Sequence, residues 1–433
     1  MMPKLTSAAE SAQKNSASTP LARVVIVTMD NHLASAAERA NRLLAKSMPG
    51  VVLSVHAASE WADDKAALAR CIAEIEQGDL IIASMLFMED HFLPVLPALK
   101  ARRDGCDAMV CIMSAGDVMK QTRMGRFSMD GTTRGPMAFL KKLRGKSAEG
   151  NKSGATAGAQ QMKMLRRLPK LLRFIPGTAQ DVRAYFLTLQ YWLAGSEENI
   201  AGMVQLLLDH YADGPRKILR GKVKILPPIE YPEVGLYHPQ MKGAGVNKGM
   251  SDQIDKLPAV ATAGKNGTVG VLLMRSYLLA GNARHYDGVL AAFEARGLSV
   301  VPVYASGLDA RPAVEQFFIK DGHIKVDAVV SLTGFSLVGG PAYNDSKAAE
   351  EMLGKLGVPY LAVTPVEFQT LERWAASERG LLPVEATMMV AIPELDGATG
   401  GLVFGGRSDA NGEACTGCSR ACTFPQADNA QDM

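Results

Sequence analysis

The sequence predicts an α/β protein of two doubly wound parallel-sheet domains, joined by a helical segment and a proline-rich connection. Short runs rich in Val, Ile, Leu and Met recur between longer stretches of helical periodicity. The runs are apolar throughout instead of alternating, as strands buried on both faces are. The pattern occurs in each half of the 433-residue chain, and strands that alternate with helices imply parallel crossovers.

In the first half, strands are expected at Val24–Met29, Val51–Val55, Leu80–Met85 and Ala108–Met113, with helices at Ser35–Lys46 and Asp63–Gln77. Asn31 and Asp63 or Asp64 stand where helix caps are needed. After Ser114 the pattern decays. GKSAEGNKSGATAGAQQ is too polar to build a core and reads as a mobile loop. In the basic stretch QMKMLRRLPKLLRF, Met162, Leu165, Leu168 and Leu172 are spaced for one helical face, and Pro169 is expected to kink it. Helices at Asp181–Leu193 and Glu197–Tyr211 come next, and then ILPPIEYPEVGLYHP, whose four prolines are expected to preclude regular structure.

The second half repeats the logic. Strands are expected at Val269–Met274, Ser299–Tyr304, Ala328–Leu332 and Tyr360–Val363, with helices at Ala283–Ala295, Ala313–Lys320 and Lys347–Leu356. Gly297, Gly307, Gly334 and Gly357 fall where helices end or turns begin, a place for positive φ. The resulting division is a disordered leader (1–20), an N-terminal α/β domain (21–122), a basic flexible insertion with the amphipathic segment (123–178), a helical segment (179–228), a second α/β domain (229–410) and a cysteine-containing tail (411–433).

A mass of 46.2 kDa, 47% hydrophobic and 21% charged residues exclude a disordered or fibrous chain. No apolar run reaches the roughly 18 residues of a membrane span, and MMPKLTSAAESAQKNSASTP lacks the apolar core of a secretory signal. A cytoplasmic location is expected. Six cysteines are too few and too unevenly placed for a disulfide framework, and Cys71, Cys106 and Cys111 are expected to be buried as small hydrophobes. The net charge of +3 hides an asymmetry: Lys100 to Phe174 holds 17 Lys plus Arg against 5 Asp plus Glu, a net of +12, leaving 30 against 39 elsewhere. Such a region suits an anionic membrane or an acidic protein face. Its few aromatics, Phe127, Phe139 and Phe174, lack the stacking platform of a single-strand binder, so no nucleic-acid partner is expected.

LKKLRGKS (Leu140 to Ser147) approaches a phosphate-binding loop, but Leu140 stands where the first glycine must bend the amides around the anion, so no nucleotide site is expected. Cys415, Cys418 and Cys422 form C-x-x-C-x-x-x-C, which can hold three corners of a [4Fe–4S] cluster or part of a zinc site, with the fourth ligand absent. Free thiols on a tail explain the same residues. His238, Arg275, His285, Gly334 and Ser336 are the candidates for a ligand pocket. His285, with Arg284 and Asp287, opens a helix, where a solvent-exposed capping cluster is the competing account. The loop Ser331–Gly340 leaves the C-terminal end of a parallel strand, where open α/β sheets bind ligands, yet offers no titratable side chain and also reads as a tight structural turn.

The stretch from Asp327 to Arg407, opening DAVVSLTGFSLVGGPAYND and closing PELDGATGGLVFGGR, resembles the large subunits of the magnesium chelatase and cobaltochelatase family. YPEVGLYHP (Tyr231 to Pro239), the run from Gly270 to Phe318, VPYLAVTPVEFQTLERWAASERGLLP (Val358 to Pro383) and the helical run Ala179 to Leu207 are similar to further blocks of that family in order and spacing. The resemblance is greatest to its magnesium branch and covers nearly the whole chain. It implies a porphyrin-binding subunit for ATP-driven insertion of Mg²⁺ into protoporphyrin IX, a nitrogen–metal ligase step toward chlorophyll or bacteriochlorophyll. It also implies that ATP is hydrolysed by AAA+ partner subunits, I and D. Family members are far longer, so an N-terminal portion that is not catalytically competent alone is expected, and the catalytic residues are unknown. An iron–sulfur or redox-sensing module and a non-catalytic product of an interrupted gene are the alternatives.

Overall fold

The computed structural model describes residues 20–29, 32–61, 64–130, 168–242, 249–340 and 343–408. Most of the expected leader, Asn31, Asp63, LKKLRGKS, the Gly-rich loop, Met162 and Leu165, and Cys415, Cys418 and Cys422 lie outside the described residues.

Among the described residues the first sheet has six strands: β1 (Ala22–Thr28), β2 (Val51–Ala57), β3 (Leu80–Ser84), β4 (Ala108–Ile112), β5 (Arg123–Met124) and β6 (Phe127–Ser128). Their order across the sheet is β2-β1-β3-β4-β5-β6. β1 to β4 are parallel, and β5 and β6 return antiparallel. The sheet is therefore mixed where a purely parallel one was expected, because a two-residue strand carries no periodicity to read. Successive side chains in a strand point to opposite faces. Val24, Ile26, Ile82 and Val110 accordingly share a core with helix α1 (Ala34–Ser47). Val25, Val27, Ile81 and Met109 share another with α2 (Lys65–Gln77) and α3 (Leu96–Arg102). Asp64 caps α2, accepting from the N–H groups of Ala66 and Ala67, as its position predicted. Cys71, Cys106 and Cys111 are buried free thiols, as expected.

The helices α4 (Thr178–Ala194) and α5 (Glu197–Tyr211) lead toward the second sheet and also close the first. Val182, Tyr185, Trp192, Val204 and Leu207 enter the same core as α1. Gly195, at φ 54°, turns the chain between them, and Ser196 caps α5 by accepting from Asn199 N–H. Farther along, Arg216 grips Asp107 through two 2.8 Å bonds and reaches Asp79 at 3.1 Å. This bidentate clamp ties the segment after α5 to the residues that precede β3 and β4.

The second sheet is built from β7 (Val234–Tyr237), β8 (Met250–Ser251), β9 (Thr268–Met274), β10 (Ser299–Ala305), β13 (Ala328–Ser331), β16 (Tyr360–Val366) and β17 (Thr399–Gly406). It runs β17-β16-β13-β9-β10-β7-β8. The strands β11 (Ile319–Lys320) with β12 (His323–Ile324), and β14 (Gly339–Gly340) with β15 (Tyr343–Asn344), form separate hairpins. Helices α6 (Arg284–Ala295), α7 (Arg311–Phe317) and α8 (Ser346–Leu356) connect the parallel strands. The order β10-β9-β13-β16 matches β2-β1-β3-β4 of the first sheet, so both units wind alike. This sheet is also mixed, since β7 and β8 are antiparallel. The proline-rich connection was expected to be irregular throughout. Instead its four proline-free residues before His238 form β7, with Leu236 opposite Val303. The helix expected to reach Lys320 ends at Phe317, where the β11–β12 hairpin takes over.

The two units meet along a polar seam. Asn282 Nδ2 donates to the His32 carbonyl at 2.7 Å, and Ser35 Oγ bonds the Asn282 carboxamide oxygen. Arg39 Nη2 donates to the Ala280 carbonyl at 2.6 Å while its Nε pairs with Glu197. Arg407, 2% exposed, lies 3.5 Å from the 5%-exposed Glu60 carboxylate. Elsewhere along the first sheet's C-terminal edge, Met85 (φ 60°) and Met113 (φ 48°) adopt left-handed backbone. Their loops are laced together: Leu86 N–H donates to Ser114 Oγ at 3.1 Å and Ala115 N–H to the Leu86 carbonyl at 2.9 Å.

Removing one partner of a buried ion pair strands the other charge, whereas an apolar replacement of both is often neutral. Glu60→Gln is expected to lower unfolding free energy in urea by about 3 kcal/mol, and the double change Glu60→Leu with Arg407→Met to recover most of it. Equal stability of Glu60→Gln and the parent would show that the pair does not hold the seam.

Candidate functional site

The C-terminal ends of β9, β10 and β13 open a cleft of about 380 Å³ that includes space continuous with solvent. The position follows from the winding: β9 leads to β10 on one side, and the next parallel strand, β13, lies on its other side. That is where ligands gather in open α/β sheets. Leu272, Met274, Val303, Ala305, Phe335 and Leu337 make the walls apolar, and Ser331, Thr333 and Ser336 supply hydroxyls.

The loop after β13 is held by its own polar groups. Ser331 Oγ and Thr333 Oγ1 are 2.9 Å apart, and Thr333 Oγ1 accepts the Phe335 N–H at 3.2 Å. Gly334 turns the loop at φ 69°, and a Cβ there would stand 2.9 Å from Pro365. Ser336 Oγ accepts from Val338 N–H at 3.2 Å. Behind the loop lies Asp396, 3% exposed, whose Oδ2 accepts from Leu337 N–H at 2.9 Å. Burial raises its carboxyl above the ordinary range, opposed by hydrogen bonds from Ser336, Leu337 N–H and Ser346. Tyr360, its phenol raised by burial, lies against Ser331 and Asp396. Sequence reading found no titratable group at this loop; the structure brings one, from a turn 59 residues away.

The five pocket candidates do not converge. Ser336 lines the cleft, and Gly334 sits between its lining residues Thr333 and Phe335. His238 is 1% exposed; its Nδ1 accepts from Gln240 N–H at 3.1 Å, so Nε2 carries the proton that meets Glu294 at 2.8 Å. Arg275 donates to the carbonyls of Pro232 and Tyr231 at 2.9 and 3.0 Å, pinning the approach to β7. His285 does not belong to a solvent-exposed capping cluster. It is fully buried, stacked on Tyr286 at 3.9 Å and on Phe404 at 5.4 Å, with Tyr277 edge-on at 5.6 Å. Burial holds its ring neutral, down to about 3. The first turn of α6 faces inward, which local capping preferences do not reveal. Among the described residues, no three of His, Cys, Asp and Glu are grouped to hold a metal ion.

Residues 189–429 match the family model described as CobN/Magnesium Chelatase, and residues 23–186 match a domain of unknown function, DUF3479. The chain belongs to the CobN/magnesium chelatase family, in the branch of the magnesium-chelatase H subunit, as its sequence blocks indicated. It is 49% identical to the magnesium-chelatase H subunit of Cereibacter sphaeroides over 94% of this chain and 33% of that protein. Against its counterpart from Rhodobacter capsulatus it is 48% identical over 92% of this chain and 32% of that one. The chain thus spans about a third of the length of these relatives. The solved catalytic subunit of cobaltochelatase from Mycobacterium tuberculosis aligns with a TM-score of 0.45 and 16% identity, over 95% of this chain and 26% of that one.

A histidine that titrates at its ordinary 6.5 when unfolded but stays neutral in the fold down to about 3 makes unfolding take up a proton across that window. Its stabilising contribution is complete above the unfolded value and falls as pH drops through the window, by about 1.4 kcal/mol per unit. Denaturant midpoints of the parent are expected to fall more steeply between pH 6 and about 4 than those of His285→Phe. Parallel curves would place the acid sensitivity elsewhere.

Proposed function

We propose that the chain is the N-terminal portion of the porphyrin-binding subunit of a cytoplasmic magnesium chelatase. That enzyme inserts Mg²⁺ into protoporphyrin IX, with ATP hydrolysed by AAA+ subunits I and D, on the route to chlorophyll or bacteriochlorophyll. The observation that carries the reading is 49% identity over 94% of the chain to a magnesium-chelatase H subunit. In the reaction, the macrocycle gives up two pyrrole protons and its four nitrogens replace water on a metal that prefers octahedral oxygen ligands and dehydrates reluctantly. This demands a shell that excludes water and positions the ring.

In this reading the chain supplies part of that shell. The cleft at the ends of β9, β10 and β13 receives an apolar edge of the macrocycle, with Gly334 and Ser336 on its rim, while the rest of the subunit covers the remainder. His238, Arg275 and His285 act from within the frame. We read both units as doubly wound, supported by the shared strand order and by helices on both faces of the first sheet.

Titration of the chain with a soluble porphyrin is expected to quench porphyrin fluorescence at roughly tens of micromolar, and Phe335→Ala, which removes an apolar wall of the cleft, to weaken the binding about tenfold or more. No quenching by the parent chain would end the porphyrin-shell reading. Mixed with protoporphyrin IX, the AAA+ subunits, ATP and Mg²⁺, the chain in place of a full-length H subunit is expected to yield no metalloporphyrin, and formation of magnesium protoporphyrin would show that it is catalytically competent without the rest of the subunit.

A further inference from the structure

Residues 168–172 form a helical turn beside α4. Leu168 and Leu172 are buried in the first core, but Leu171, Phe174 and Ile175 are 69%, 83% and 49% exposed. Single large apolar side chains in water are ordinary; a contiguous group marks a contact surface. The group is held in place. Arg183 Nε donates to the Pro169 carbonyl at 3.2 Å, and Gln180 Nε2 donates to the Leu172 and Ile175 carbonyls at 2.9 and 2.5 Å. Pro169, expected to interrupt the apolar face, lies inside this anchored turn.

Cations surround it. Lys170 and Arg173 are exposed, and the Arg173 guanidinium stands 5.8 Å from the Phe174 ring centroid. Arg126, also exposed, is brought to the same corner by its N–H bond to Asp181 Oδ2 at 3.0 Å. The other Asp181 oxygen accepts from Tyr211 OH at 3.0 Å, so that carboxylate is engaged inward.

We propose that Leu171, Phe174 and Ile175, flanked by Lys170 and Arg173, form a docking surface for an anionic membrane. The apolar side chains enter the boundary between headgroups and acyl chains, and the cations meet lipid phosphates. An acidic protein face would satisfy the cations, but it would need a socket for a phenyl ring that projects almost wholly from the surface. A lipid interface accommodates such a projection without one.

The test is co-sedimentation of the whole chain with vesicles of equimolar phosphatidylcholine and phosphatidylglycerol, and with phosphatidylcholine alone. Binding is expected to the anionic vesicles, about tenfold or more weaker to the neutral ones, and to fall with added salt. Leu171→Ser with Phe174→Ser is expected to reduce it about tenfold or more, and Lys170→Glu with Arg173→Glu likewise, with unchanged circular dichroism and melting. Phe174→Trp should show a blue-shifted emission with anionic vesicles. No sedimentation of the parent, or equal sedimentation of the double serine variant, would overturn the proposal. So would capture by poly-glutamate through these residues without vesicle binding. No porphyrin or nucleotide enters the assay, so its outcome is independent of the chelatase reading.

Discussion

The first sheet has a face that its own crossovers only partly cover. α1 lies against β1 and β2, but β3, β4 and the β5–β6 hairpin on that face would stand in water without α4 and α5. Trp192, Tyr185 and Leu207, which arrive well after the last strand of the sheet, complete the core that Val24 and Ile26 begin. A parallel sheet left bare on one side exposes two-sided apolar strands, so closure by this helical pair is a condition of folding. Arg216, bound to Asp107 and Asp79, fixes where the pair ends. Arg39 bridges α1 to Glu197 on α5 and to Ala280 in the second unit. The seam therefore follows from the same closure that completes the first core.

The cleft is simple by comparison. Parallel strands bring their C-terminal ends to one edge, and the winding direction changes there. The loop after β13 supplies hydroxyls and one left-handed glycine, and the buried Asp396 carboxyl ties down its Leu337 amide. What the site presents outward is apolar surface and hydroxyl groups; its acid is turned inward.

The long parallel strands were legible because burial on both faces leaves unbroken apolar runs, as in Val24 to Val27 and Leu80 to Ala83. Asp64 was legible as a cap because its task is local. The β5–β6 and β7–β8 pairs were not, since strands of two to four residues have too few positions for a period and take their partners from distant chain. Asp396 was missed for a related reason: in DGATGG it looks like a turn residue, and only the third dimension sets it beneath Leu337. His285 was misread because the inward tilt of α6 depends on Phe404, more than a hundred residues later.

Met85 and Met113 lend the first sheet's edge a mechanical character. Left-handed backbone at a side chain of this size is costly, and it persists only where neighbours over-determine it. Here the two loops are joined to each other through Leu86, Ser114 and Ala115. Leu86 sits at the centre of this lacing, giving its N–H to one loop residue and its carbonyl to the next, so the Ser114 hydroxyl serves the loop opposite its own.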